Sequence, residues 1–204
     1  MTILQNILPW LSPFLLMAVL ITVFSEKLKK HSVPRLGLII ALIVLGFSVP
    51  LAGSTVAQWF RSVLGDLSVL TLVVFADILA KRLWHRNVLD ASSRKALLLV
   101  VAVVGVVFYP LSLGVGPIDP YRLGYTPLMM VYLLGLTSVI AWLRQVRILA
   151  VILLLPMLAY NLHLLESDNL WNYLLDPVLV IYALVQSGLA VASQIKIYQR
   201  TQPK

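Results

Sequence analysis

The stretch Lys81–Leu113, KRLWHRNVLDASSRKALLLVVAVVGVVFYPLSL, carries both signals that decide the fold. Its second half, Ala96–Leu113, is an uninterrupted run without one charged side chain. That approaches the ~20 residues, at ~1.5 Å rise each, that take a helix across a bilayer. Its first half concentrates Lys81, Arg82, Arg86, Arg94 and Lys95. Basic residues are retained on the cytoplasmic side of a membrane, so this segment predicts an inner loop followed by a span running outward.

Working outward from it, further apolar runs predict spans over Leu8–Phe24, Gly37–Leu51, Leu67–Leu79, Leu128–Leu143, Ile148–Leu165 and Leu174–Val191. With seven spans, the basic residues fall on one face: Lys27, Lys29, Lys30 and Arg35, then the Lys81–Lys95 group, Arg144 and Arg147, and finally Lys196, Arg200 and Lys204. Only Arg61 and Arg122 lie opposite. The acids sort the other way, with Asp66, Asp119, Glu166, Asp168 and Asp176 outside against Glu26, Asp77 and Asp90 inside. A six-span chain would strand one basic cluster on the wrong side. The expectation is an all-α, polytopic integral membrane bundle, one transmembrane domain over residues 1–204, N-terminus outside and C-terminus cytoplasmic.

Composition agrees. Of 204 residues 60% are apolar and 12% charged, about half the charged share of a soluble domain. Mean hydropathy is +0.94. The formal charge of +8 is accounted for by topology, so nucleic acid is not an expected partner. Membrane lipids and a membrane-protein partner are. The first run carries Pro9 and Pro13, lacks a basic leader and is followed by lysines, so a span, not a cleaved signal, is expected. Its Trp10 suits the outer interface. With no cysteine the chain has no thiolate or disulfide chemistry. A bacterial inner membrane is the expected location.

Two outer segments hold the residues able to carry chemistry. The loop Leu113–Pro127 contains three Pro and three Gly, together with Asp119, Tyr121, Arg122 and Tyr125. Asp119 and Arg122 are spaced to pair, and the tyrosines present a ring to apolar surface and a hydroxyl to water. The segment Tyr160–Asp176, YNLHLLESDNLWNYLLD, places His163 and Glu166 three apart, sharing a face if helix continues that far. Asn172 and Asp176 sit at the start of the seventh span. Asp176, one turn into apolar sequence, is either functional or a partner for its own helix dipole. The candidate catalytic set is Asp119, Arg122, His163, Glu166 and Asp176; the candidate ligand-binding set is Tyr121, Arg122, Tyr125, Asn172 and Asp176. One histidine without HExxH spacing does not make a metal site, and no cofactor is expected.

Other expectations are local. Residues 54–64, within AGSTVAQWFRSVL, predict a short interfacial helix with Val56, Trp59, Phe60 and Val63 on one face and Ser54 or Thr55 as cap. Asp77 precedes Lys81 by four residues, the favourable order for an ion pair, and Asp66 is placed to cap span three. Gly135, Ser138 and Ala141 form a small-residue seam on span five. Three functions compete. A non-catalytic subunit binding a partner or lipid in cell-envelope lipid or glycan assembly or export stands first. An intramembrane enzyme acting on a lipid headgroup at the outer leaflet is the alternative. A small-solute or proton transporter, using Asp66 and Asp77, is the third.

Overall fold

Polar caps and prolines decide where the helices begin. In the computed structural model, residues 11–20, 37, 40, 41, 44, 45 and 47–201 are described. Trp10, Pro9, Glu26, the cluster Lys27–Arg35, Lys204, both ends of the first predicted span and several positions inside the second lie outside the described residues. Helix α1 covers Leu11–Leu20. The described positions from Gly37 to Ser48 are helical, and Phe47 meets Phe14 with ring centroids 5.9 Å apart. A minimal antiparallel pairing of β1 (Pro50–Leu51) with β2 (Ser54–Thr55) leads into α2 (Val56–Leu64). Thr55 is the cap, in a reciprocal capping box. Its hydroxyl accepts from the Gln58 N–H at 3.3 Å and its own N–H donates to Gln58 Oε1 at 2.7 Å.

The main bundle follows: α3 (Val69–Trp84), α4 (Ala91–Ser112), a 3-10 helix (Pro120–Tyr125), α5 (Pro127–Leu143), α6 (Arg147–Asn161), α7 (Leu170–Leu174) and α8 (Pro177–Thr201). Asp90 caps α4, and the Ser92 and Ser93 donors hold its carboxyl down at about 2. This polar first turn makes α4 start five residues before the predicted Ala96. Pro127 and Pro177 open α5 and α8, positions where a missing N–H leaves no bond unmade.

Helix α6 is the hub, touching α3, α4, α5 and α7, while α4 packs along α8. Gly105 allows that last contact, because a Cβ there would meet Val180 Cγ2 at 2.8 Å. Ser138 and Ala141 are buried, and Ser138 Oγ donates to Ala150 O across the α5–α6 seam. Gly135 has open space beside it and is not part of the contact. Helices α4 and α5 both lean on α6 and barely meet each other. Buried residues from Leu16 to Ala183 form one apolar cluster.

Among the described residues, two helices are long and apolar enough to cross a membrane by length and composition: Ala91–Ser112 and Pro177–Gln199. Helices α1, α5 and α6 are apolar but shorter. Helix α6 stops at Asn161, short of the predicted Leu165. His163 turns left-handed at φ 48, its N–H reaches Tyr160 O at 2.9 Å, and Leu164 N–H reaches Ala159 O at 3.0 Å. These two bonds make a Schellman stop, so His163 and Glu166 share no helix face.

Candidate functional site

The two segments expected on the outer side meet. Tyr121 on the 3-10 helix and Asn172 on α7 exchange a hydrogen bond at 3.2–3.3 Å between the hydroxyl and the side-chain amide. Asn169 is fully buried; its amide donates to Tyr121 O at 2.9 Å and its oxygen accepts from Trp171 N–H at 2.9 Å. Trp171 Nε1 donates to Pro120 O at 2.8 Å. The approach depends on Gly124, since a side chain there would collide with Asn169. Tyr125 stands edge-on to Tyr121, centroids 5.8 Å apart, and burial raises the Tyr121 pKa. Tyr173 ties the neighbouring turn, donating to Leu165 O at 3.0 Å, and burial raises its pKa too. Of the candidate ligand-binding residues, Tyr121, Tyr125 and Asn172 therefore form one cluster with Trp171, and exposed Arg122 lies on the same 3-10 helix.

Asp176 belongs elsewhere. It is buried where the first turns of α3 and α8 meet, and its Oδ2 accepts from Ser68 N–H at 2.8 Å and from the Thr71 hydroxyl. Its Oδ1 accepts from Leu179 N–H at 2.9 Å. One carboxylate thus serves two helix N-termini, where negative charge and acceptors are both favoured.

The remaining candidates disperse. Asp119 closes a turn on Tyr121 N–H at 2.9 Å, and no ion pair with Arg122 forms among the described residues. Pro120 fixes the chain direction and presents the Tyr121 N–H, which displaces the expected pairing. Exposed Glu166 accepts from Arg61 at 2.7 Å, and Arg61 also holds Asp66 at 2.8 Å. The Asp66 hydrogen bond, above all, raises the Arg61 pKa. Asp66 is therefore not the cap of α3; Ser68 is. His163 is exposed in its left-handed turn, with Tyr160 the neighbouring ring at 6.2 Å. No group of three potential metal ligands occurs among the described residues.

A deeper polar centre escaped the sequence reading. Asp77 sits midway along α3 and is fully buried. The loop after α3 folds back so that Val88 and Leu89 N–H groups both donate to its Oδ1 at 2.9 Å. Arg94 of α4 donates to Oδ2 at 3.0 Å and to the Tyr182 hydroxyl of α8 at 2.9 Å. The expected Asp77–Lys81 pair is replaced by this one, and Lys81 is exposed. The interlocked loop is what brings the more distant arginine into reach.

Beneath this rim lies a cavity of about 170 Å³. Val100 and Val104 of α4 and Leu133 and Thr137 of α5 form its walls, with Leu123 and Trp171 at the outer end. Its place is the gap between α4 and α5, which barely touch each other. Val100 is 43% and Leu133 51% exposed, so the cavity opens sideways between the helices. Comparison with protein-family models, with curated proteins and with solved structures found no match.

Proposed function

We propose that the chain is a multi-spanning protein of a bacterial inner membrane, with about seven spans, its N-terminus outside and its C-terminus cytoplasmic. It acts there as a non-catalytic subunit that binds a partner or lipid in cell-envelope lipid or glycan assembly or export. The membrane part draws support from burial. A core helix of a soluble protein is apolar because it is covered, yet only 33% of the most apolar stretch of α4 and 17% of that of α8 is buried. Neither helix is near the N-terminus, so neither reads as a signal sequence. A helix apolar on every face and uncovered by protein requires an apolar surrounding. The interfacial reading of α2 draws support from Trp59 and Val63, which are exposed while Arg61 on its other side pairs with the rim.

The observation that carries the non-catalytic reading is the occupation of four of the five acids expected on the outer side, all but Asp168. Asp176 caps two helices, Asp66 and Glu166 hold Arg61, and Asp119 closes a turn. An acid–base enzyme needs such groups to converge on one reacting position. A transporter needs a continuous polar lining, whereas the buried residues of α3 between Thr71 and Asp77 are Val74 and Phe75.

Topology is tested in this cysteine-free chain with Asp168→Cys and Lys196→Cys. An impermeant maleimide is expected to label the first in intact spheroplasts and the second only after permeabilisation; the reverse overturns the orientation. Extraction in native-membrane polymer discs followed by mass spectrometry tests the role. A stoichiometric envelope-assembly protein or a defined lipid supports it. A lone protein that converts a lipid headgroup, and loses that activity in folded Arg122→Ala or His163→Gly, overturns it. His163→Gly suits this test because glycine adopts the left-handed turn freely.

A further inference from the structure

We propose that the gap between α4 and α5 is a seat for one hydrocarbon tail of an anionic membrane phospholipid, entering sideways with its headgroup at Arg122. The inference rests on the membrane reading above. The first observation is chemical. Thr137 is the only wall residue with a polar side-chain oxygen, and its hydroxyl already donates to Leu133 O at 2.7 Å. Trp171 likewise directs its indole N–H to Pro120 O. The lining therefore offers a polar ligand no free side-chain donor and at most the lone pairs of one hydroxyl, so an apolar occupant gains most by entering.

Size narrows the occupant. A cavity of about 150 Å³ with a comparable aliphatic lining accepts benzene, about six carbons. At about 170 Å³ this one takes a similar length of slender chain. A partner helix, ~10 Å across with its side chains, does not fit.

Access and charge complete the case. The helix faces beside the opening carry exposed Val103 and Val107 on α4, and Leu136 and Ile140 on α5. A tail sliding in from the bilayer stays in apolar surroundings throughout. At the outer end, Leu123 roofs the cavity and Arg122 is its immediate neighbour in sequence. Of the two outer arginines, Arg61 is held by Asp66 and Glu166, whereas Arg122 forms no ion pair among the described residues. A headgroup phosphate supplies the missing counter-charge. Asp119 on the same loop is directed to Tyr121 N–H, and it disfavours a second negative charge on its own side.

The test uses the full chain in phosphatidylcholine nanodiscs doped with a phosphatidylglycerol that carries a diazirine in one tail. Photo-adducts are expected to concentrate on Val100, Val104, Leu133 and Thr137. Leu133→Trp, which fills the seat from a half-exposed position, should abolish that concentration, and Thr137→Trp serves if the first variant misfolds. Val139→Trp, exposed on α5 outside the lining, should leave it unchanged. Arg122→Gln should remove the advantage of phosphatidylglycerol over an equally labelled phosphatidylcholine. Adducts spread evenly over the outward faces, or unaltered by both filling variants, overturn the seat. Exclusion of the probe by a co-purifying protein overturns it also. Cysteine accessibility at Asp168 and Lys196 reports the membrane reading separately, so loss of the seat and loss of that reading are distinguishable.

Discussion

The outer rim and the Asp77 centre use polar groups in opposite ways. The rim spreads its links over Tyr121, Asn169, Trp171, Asn172 and Tyr173, most of them neutral and several running from side chain to backbone. Each such bond contributes ~1 kcal/mol. The deep centre puts two backbone amides and an arginine on one buried carboxylate and ties α3, α4 and α8 together. A spread network loses one member at a time, whereas a concentrated one is lost whole. The contrast assigns adaptability to the rim and the fixed arrangement of helices to the centre.

The largest effect should come from breaking the centre. Asp77→Ala leaves Arg94 and two amides without their acceptor and is expected to destabilise the protein by ~3–5 kcal/mol, read by thermal unfolding in detergent. Asp77→Asn keeps an acceptor for the amides and should lose less. A loss below that of a single rim bond in both variants would erase the contrast. Asp176→Ala comes next, at ~2–3 kcal/mol, because a charged acceptor leaves two helix N-termini. It is the rim-side exception in which one carboxylate concentrates several bonds, and unfolding of its variants should resemble that of Asp77. Smaller again is Arg61→Gln, below ~1 kcal/mol and fading with added salt, because Arg61 is only partly buried and Glu166 is exposed. The smallest is a slope. Asp90 has its folded pKa lowered from 3.8 to about 2, so its contribution is complete above pH 3.8 and declines as pH falls toward 2. Asp90→Ser keeps a cap and removes the titration, and should flatten stability against pH within that window only.

Much of this is legible in the sequence where the signal is local. Thr55 is one of the two caps expected for the interfacial helix, and span five, expected from Leu128, opens at Pro127; span seven, expected from Leu174, opens only at Pro177, after Asp176. The rim cluster of Tyr121, Tyr125 and Asn172 is suggested by composition alone, though the partners that join it, Asn169 and Trp171, act through backbone carbonyls that no residue pattern advertises. What fails is anything set by a fold-back or a crossing. Asp77 and Arg94 lie seventeen positions apart across a loop that re-enters, beyond any helical spacing rule. The end of α6 is hidden because Leu162, Leu164 and Leu165 prolong the apolar run past a stop made by the backbone of His163. The sideways cavity depends on α4 and α5 both packing on α6 while barely touching each other, which neither stretch of sequence encodes by itself.

Helix length has one more consequence. Only the uncharged length of a helix counts against a bilayer. At ~1.5 Å per residue, Ala96–Ser112 of α4 and Pro177–Ile195 of α8 reach ~26 and ~28 Å, and α5 and α6 reach ~25 and ~22 Å. In the membrane proposed above, with a hydrocarbon layer ~30 Å thick, the layer would thin around the bundle. A neighbour with a short span would then lose least by settling beside it.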